Sequence, residues 1–281
     1  MEEKIAELTD LLKRTVEGKC AIALAGAHAK GTEDAASDID LYIFAEQARP
    51  WKERSALITA AADPGTVPWV DQNFDAAPWG GGMDFLYRGT PVEVVGRTIA
   101  HTDRMIDDCL AGRYEIIPAT WTSNGYYTFI YLCELNFLKP VWDPDGVLAA
   151  WKEKAAVYPA PLRRAVMVDF LGRAGTWMGN FHYDSAVHRG DILFTAPIVL
   201  HTVMDMVQVL FALNHVYFTG DKKLEAVLAK LPRCPKALHP DGVDLLFSSS
   251  REPAVLERQR SLLMEAFQEL SAWVREALEE A

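Results

Sequence analysis

The chain has 281 residues, half of them hydrophobic and a tenth aromatic, which is enough for a sizeable core and excludes disorder on composition. Lys and Arg total 28 against 39 Asp and Glu, for a formal charge of −11. That balance argues against sequence-independent nucleic-acid binding, which runs on clustered cations. No nucleic-acid partner is therefore expected. Cys20, Cys109, Cys133 and Cys234 are far apart and share no C-x-x-C spacing. Neither a zinc site nor a disulfide framework is indicated, and four scattered thiols fit a reducing, cytoplasmic setting. Met1-Glu2-Glu3-Lys4 lacks the apolar stretch of a signal peptide. The most apolar segment, 203–218, carries Asp205, Gln208 and Asn214, so no membrane span is expected.

Taken in chain order, a first helix is predicted from about Glu3. Ile5, Leu8, Leu11, Leu12 and Val16 recur at helical spacing, and Gly18 reads as its stop. Residues 20–25 form a short apolar run suited to a buried strand. A polar loop with glycines spans 26–37, and 38–44 reads as a second strand. Phe85-Leu86-Tyr87 and residues 92–95 flank Arg88-Gly89-Thr90-Pro91, a hairpin signal. These elements make a small α/β unit over residues 1–118.

From Trp121 onward the patterns turn helical. Val203, Met206, Val207, Leu210 and Phe211 form one apolar stripe, and Leu263, Phe267, Leu270, Val274 and Leu278 another. Pro140, Pro159 and Pro161 punctuate the connections. The expectation is an α+β protein with an all-α second domain, residues 119–281, of about five helices. Trp121, Tyr126, Tyr127, Phe129 and Tyr131 read as core, with room for one of them to line an acceptor site.

The chemistry concentrates in Ala25-Gly26-Ala27-His28-Ala29-Lys30-Gly31 and, five residues on, Ser37-Asp38-Ile39-Asp40-Leu41. In a strand, residues i and i+2 share a face, so Asp38 and Asp40 project together while Ile39 and Leu41 face the core. Two neighbouring carboxylates repel unless a cation or proton lies between them. Oxygen ligands of this kind suit magnesium, which shares substrate phosphates. Gly26 and Gly31 allow the backbone to turn tightly and approach a ligand, and backbone N–H groups at such a turn cradle phosphate.

This stretch resembles the polymerase-β-type nucleotidyltransferase superfamily. That family's signature is a Gly-Ser pair ending a strand, a spaced Gly, then Asp-x-Asp opening the next strand. Gly26, Gly31, Asp38 and Asp40 match it. The family adds a third carboxylate on a later strand, and Glu93 in Pro91-Val92-Glu93-Val94-Val95 matches best, with Asp84 as its rival. A small α/β head with a polymerase-β-like core and a helical tail is similar to adenylyltransferases acting on aminoglycoside and lincosamide antibiotics.

The resemblance implies a magnesium-dependent enzyme moving AMP from ATP, or a nucleoside monophosphate from another triphosphate, onto a hydroxyl of a small molecule. It implies Asp38, Asp40 and Glu93 as metal ligands and catalytic residues. Gly26, Ala27, His28, Lys30, Gly31 and Ser37 would then line the nucleotide, joined by Arg189 and Lys222, or Lys223, from the helical part. The chain departs from the pattern at Ala27, where the family has Ser. One lost hydroxyl donor costs about 0.5–1.5 kcal/mol. A regulatory nucleotide-binding protein and an adenylyltransferase acting on a protein partner are the alternatives. Structural readings stand beside the functional ones. Arg189-Gly190-Asp191 fits a helix-start turn, Lys222 and Lys223 fit a helix end after Asn214 and Tyr217, and His182, Asp184 and His188 lack the spacing of a helical zinc motif.

Overall fold

The computed structural model describes every residue except 32, 35, 36, 219, 248, 249, 280 and 281. Its elements in chain order begin with α1 (Glu2–Lys13), β1 (Val16–Leu24), α2 (Gly26–Lys30), β2 (Ile39–Ala48) and α3 (Trp51–Ala61). Next come β3 (Trp69–Val70), β4 (Gly81–Tyr87), β5 (Thr90–Thr98), α4 (Ile99–Leu110), β6 (Ile116–Ile117) and β7 (Tyr126–Tyr127). Then follow α5 (Ile130–Glu134), β8 (Lys139–Trp142), α6 (Val147–Ala155), α7 (Ala160–Ala174), a 3₁₀ turn at Gly175–Trp177, and α8 (Phe181–Arg189). The chain ends with α9 (Ile192–Leu213), α10 (Leu224–Leu228), α11 (Pro240–Val243) and α12 (Pro253–Glu279).

The chain divides into two compact units, and each is built from two stretches. The first contains Met1–Cys109 and Thr128–Val157; the second contains Leu110–Tyr127 and Tyr158–Ala281. The single boundary expected at 118 is therefore replaced by a crossing and a return. The reason is β8, which leaves the helical half to pair antiparallel with β1 and close one edge of the sheet. Pro140 lies inside this edge strand, where a missing N–H is tolerated.

The first unit is α+β around a six-stranded mixed sheet of order β3-β4-β5-β2-β1-β8. The β2–β5 pair is parallel and the others are antiparallel. One face packs on α1 and α3 through Leu8, Leu12, Ile58, Ile22, Leu41, Met83 and Val94. Alternation along β2 sends Ile39, Leu41 and Ile43 into that layer and Asp40, Tyr42 and Phe44 to the other face. There Phe44 meets the Trp151 ring of α6 edge-on at 5.1 Å.

Gly18 does not stop α1. The helix ends at Lys13, and Val16 and Gly18 already belong to β1, where the register slips between Glu17 and Cys20. Gly18 has φ 74°, and the Glu46 side chain crosses it to accept from Lys19 N at 3.0 Å. A bulge of this kind selects glycine as firmly as a helix end does. The expected hairpin forms, with a two-residue turn in which Arg88 (φ 49°) and Gly89 (φ 74°) are both left-handed. Asp63 accepts from both turn N–H groups at 2.7 Å.

In the second unit α7, α8, α9 and α12 pack on one another. Helix α9 is long and apolar enough, by length and composition, to cross a membrane, but 78% of that stretch is buried within the fold, as in a core helix. Tyr126 and Tyr127 of β7 are buried in this unit, Phe129 and Tyr131 are buried in the first, and Trp121 is exposed.

A buried polar knot holds the second sheet face. Arg97 of β5 donates to Glu134 of α5 at 2.7 Å and lies over the Tyr131 ring at 3.8 Å. Tyr42 of β2 donates its hydroxyl to the other Glu134 oxygen at 2.7 Å. Glu134 thereby ties β2 to β5. Glu134→Ala is expected to cost about 3 kcal/mol in urea unfolding, because it strands a buried guanidinium, whereas replacing Arg97 by Met together with Glu134 by Leu should cost far less.

Candidate metal centre

The site is built by strand register. In the parallel β2–β5 pair Asp40 stands opposite Glu93, so two residues 53 positions apart in sequence become neighbours on one sheet face. Asp38 stands two residues before Asp40, just ahead of β2, on the same side. Each residue offers one carboxylate oxygen, and these oxygens all lie within 4.8 Å of one another. Among the described residues this is the one such group of His, Cys, Asp and Glu. Asp84 faces Glu93 from β4 but is not part of the group.

Three like charges this close oppose folding unless a cation offsets them. The donor set is all oxygen and reaches solvent, which suits a hard divalent ion. Neighbouring ligands of an octahedral magnesium are about 3 Å apart, inside the 4.8 Å limit that spans these oxygens.

Gly26 closes one side of the group. Ala25 donates its N–H to Asp40 O at 2.8 Å, and the chain then turns at Gly26 with φ 56°. A Cβ on Gly26 would lie 1.6 Å from Asp40 Oδ2. Only glycine lets the backbone pass the carboxylate. The expected open loop is in part a helix: Gly26, Ala27, His28, Ala29 and Lys30 form α2, and Gly31 caps it at φ 67°. Residues 32, 35 and 36 of that expected loop lie outside the described residues.

The other residues singled out by sequence have varied surroundings. The His28 ring is buried, and its Nε2 has no hydrogen-bond partner among the described residues. Lys30 Nζ sits over the Phe137 ring at 5.2 Å. Ser37, next to Asp38 in sequence, exchanges hydrogen bonds with Asp34, accepting from its N–H at 2.9 Å and donating to its carboxylate at 3.1 Å.

Arg189 and Lys222 belong to the second unit. Arg189 is the last residue of α8, a favourable end of the dipole for a cation, rather than a residue of a helix-start turn. Gly190 caps α8 in the left-handed region, and Asp191 is the N-cap of α9. Lys222 lies in the turn before α10, where Lys223 is the left-handed N-cap. Asp184 pairs with Arg260 at 3.2 Å, and His188 Nδ1 meets Asp184 O at 2.7 Å, which gives those side chains structural roles.

Sequence reading missed the Tyr42–Glu134–Arg97 knot behind the carboxylates. The alternation of β2 marked Tyr42 as sharing the Asp40 face, but Glu134 reaches it through a tertiary contact with no local signature.

A protein family described as a domain of unknown function (DUF4037) matches residues 136–224, less than half of the chain. No curated protein matches. Among solved structures, the chain is similar to a nucleotidyltransferase-like protein from Exiguobacterium sibiricum 255-15. The likeness has 10% identity and a TM-score of 0.46 over 99% of this chain and 79% of that one. A likeness at this level assigns no reaction.

Removing one charge from the group should show two opposite effects. Asp40→Asn is expected to raise the melting temperature in EDTA. Manganese should stabilise the wild type, by about 2.7 kcal/mol at a hundred times its Kd, and leave the variant unmoved. Differential scanning calorimetry with and without metal reads both.

Asp84 supplies a pH test in EDTA. Burial pushes its carboxyl up, and the nearby Asp71 charge adds to this. A group raised in the folded state favours folding below its unfolded value, and that contribution is lost as pH rises through the folded value. Asp84→Asn should therefore gain stability over wild type from about pH 4 upward. Urea midpoints at acid and neutral pH check this; a difference independent of pH would contradict it.

Proposed function

We propose that this chain is a nucleotidyltransferase that moves a nucleoside monophosphate, AMP from ATP, to a hydroxyl of a small molecule. The observation that carries the reading is the convergence of Asp38, Asp40 and Glu93 within 4.8 Å beside the glycine turn that abuts Asp40. The α+β fold with a mixed sheet is compatible with a polymerase-β-like head. Asp38, Asp40 and Glu93 would hold magnesium, which when bound neutralises charge on the reacting phosphate and departing pyrophosphate.

The rest falls to the chain's own groups. The backbone of 26–31 meets the triphosphate. Glu93 takes the acceptor's hydroxyl proton. The acceptor oxygen then bonds to the α-phosphorus as the bond to pyrophosphate breaks. Arg189 and Lys222 are proposed phosphate contacts, a cytoplasmic location is proposed from the four scattered thiols, and an antibiotic is one acceptor to test.

Purified protein with ATP and magnesium should release pyrophosphate against some member of a panel of hydroxylated small molecules. Asp38→Asn combined with Asp40→Asn should abolish the release and the magnesium-dependent part of ATP binding in calorimetry. Unchanged affinity in that double variant would remove the site assignment. Ala27 favours a second reading, a regulatory nucleotide-binding protein without turnover. In an enzyme, Ala27→Ser should tighten ATP or raise turnover by up to about tenfold, the equivalent of roughly 1.4 kcal/mol. Tight ATP binding with no pyrophosphate release, and no modified protein partner by mass spectrometry, would favour the regulatory reading.

A further inference from the structure

Three rows of opposed residues run from the acidic group along the β2–β5 pair: Asp40 with Glu93, Tyr42 with Val95, and Phe44 with Arg97. All six share the sheet face turned away from α1 and α3, because residues two apart on a strand point the same way. The backbone ladder holds the two strands near 4.8 Å apart but allows their mutual twist to range over roughly 10–35°. That twist sets the angle at which Asp40 and Glu93 approach each other. A hard divalent ion takes oxygens only close to one distance and geometry, so a small error in the approach costs affinity.

The side chains beyond the first row supply the restraint. Tyr42 donates its hydroxyl to one Glu134 oxygen and Arg97 donates Nη1 to the other, each at 2.7 Å. A single carboxylate thereby receives one bond from each of the two strands. The carboxylate itself stands on a firm base. Glu134 ends α5, whose Tyr131, Leu132 and Cys133 are buried. Arg97 is buried too, donating Nε to Trp79 O at 3.0 Å and lying over the Tyr131 ring.

Charge pairing alone does not account for Tyr42. Arg97 and Glu134 already neutralise each other. The Glu134 side chain is 19% exposed, so water can reach the carboxylate and its second oxygen needs no protein donor. The Tyr42 hydroxyl is surplus to the ion pair, and what it adds is a link to β2, two residues from Asp40. We propose that Tyr42 and Glu134 are positioning residues for the metal. Their hydrogen bond, with Arg97 on the neighbouring strand, holds the twist at which Asp40 and Glu93 share one divalent ion. Neither belongs to the oxygen group itself. The assignment rests on the metal centre of the nucleotidyl-transfer reading.

The test uses the full chain with manganese as the probe. Binding is followed by electron paramagnetic resonance and calorimetry, at a temperature where urea titration shows each variant to be folded. Tyr42→Phe deletes the hydroxyl and keeps the ring. Glu134→Asp keeps the charge but is one methylene too short to meet both strands. Tyr131→Phe is the comparator, since it removes another tyrosine hydroxyl bond, to Pro78 O at 2.9 Å, that ties neither β2 nor β5.

Tyr42→Phe and Glu134→Asp should each weaken manganese about fivefold, below the tenfold or more typical of groups bonded directly to a metal ligand. Both should broaden the spectrum of the bound ion. The double variant should lose no more than the weaker single variant, because both act through one clamp. Tyr131→Phe should lose comparable urea stability and bind manganese as wild type does. A role in stability alone predicts one Kd for all the folded variants.

Wild-type affinity in Tyr42→Phe, an equal loss in Tyr131→Phe, or additive losses in the double variant would each overturn the assignment. If Glu134→Asp does not fold, Tyr42→Phe against Tyr131→Phe decides it. No manganese binding by wild type removes the metal centre and the positioning role together. Manganese binding that weakens in Tyr42→Phe, with no pyrophosphate release by wild type, removes the transfer reading and leaves the positioning role standing.

Discussion

Three carboxylates within 4.8 Å of one another is the constraint around which the first unit is arranged. Their mutual repulsion works against the folded state, so the strands that carry them need anchoring from elsewhere. The anchoring comes from both faces of the sheet. Leu41, Val94 and Met83 are buried on one side. On the other, Glu134 receives a hydrogen bond from Tyr42 and another from Arg97, so the strands bearing Asp40 and Glu93 share one clamp. The acidic end of the same face reaches solvent.

The same constraint explains the glycines near the site. Gly26 is glycine because Asp40 occupies the space a side chain would take. Gly82 shows no such crowding: a Cβ there would meet Asp71, Asp84 and Trp69 at ordinary contact distances. Gly18 belongs to a third kind, a bulge at the far end of β1 that lets Glu46 cross the chain. Gly26 and Gly18 thus answer to different physical demands, and only the surroundings separate them.

The division of the chain also follows from the sheet. An edge beside β1 would expose a row of unpaired backbone groups. The chain covers it by returning from the second unit as α5, β8 and α6 before leaving again at Tyr158. Residues 136–224, the span of the family match, therefore begin in the first unit and end in the second.

By itself the sequence determined the Asp38–Asp40 pair, the tight backbone turns at Gly26 and Gly31 though not the helix between them, the hairpin at Arg88-Gly89 and the helical character of the second half. Each is a local signal: strand alternation, left-handed glycine, a two-residue turn and 3.6-residue periodicity are properties of a few consecutive residues. It misread Gly18, because a bulge and a helix stop ask the same thing of glycine, and it misplaced the boundary, because β8 is too short to carry a pattern. Tertiary structure decided between Asp84 and Glu93 as the companion of Asp40. Both carboxylates alternate correctly within their own strands, and only the parallel pairing of β2 with β5 puts one of them beside Asp40 and the other a strand farther away. Pairing depends on which surfaces bury each other over long separations in the chain, and no short run of residues encodes that.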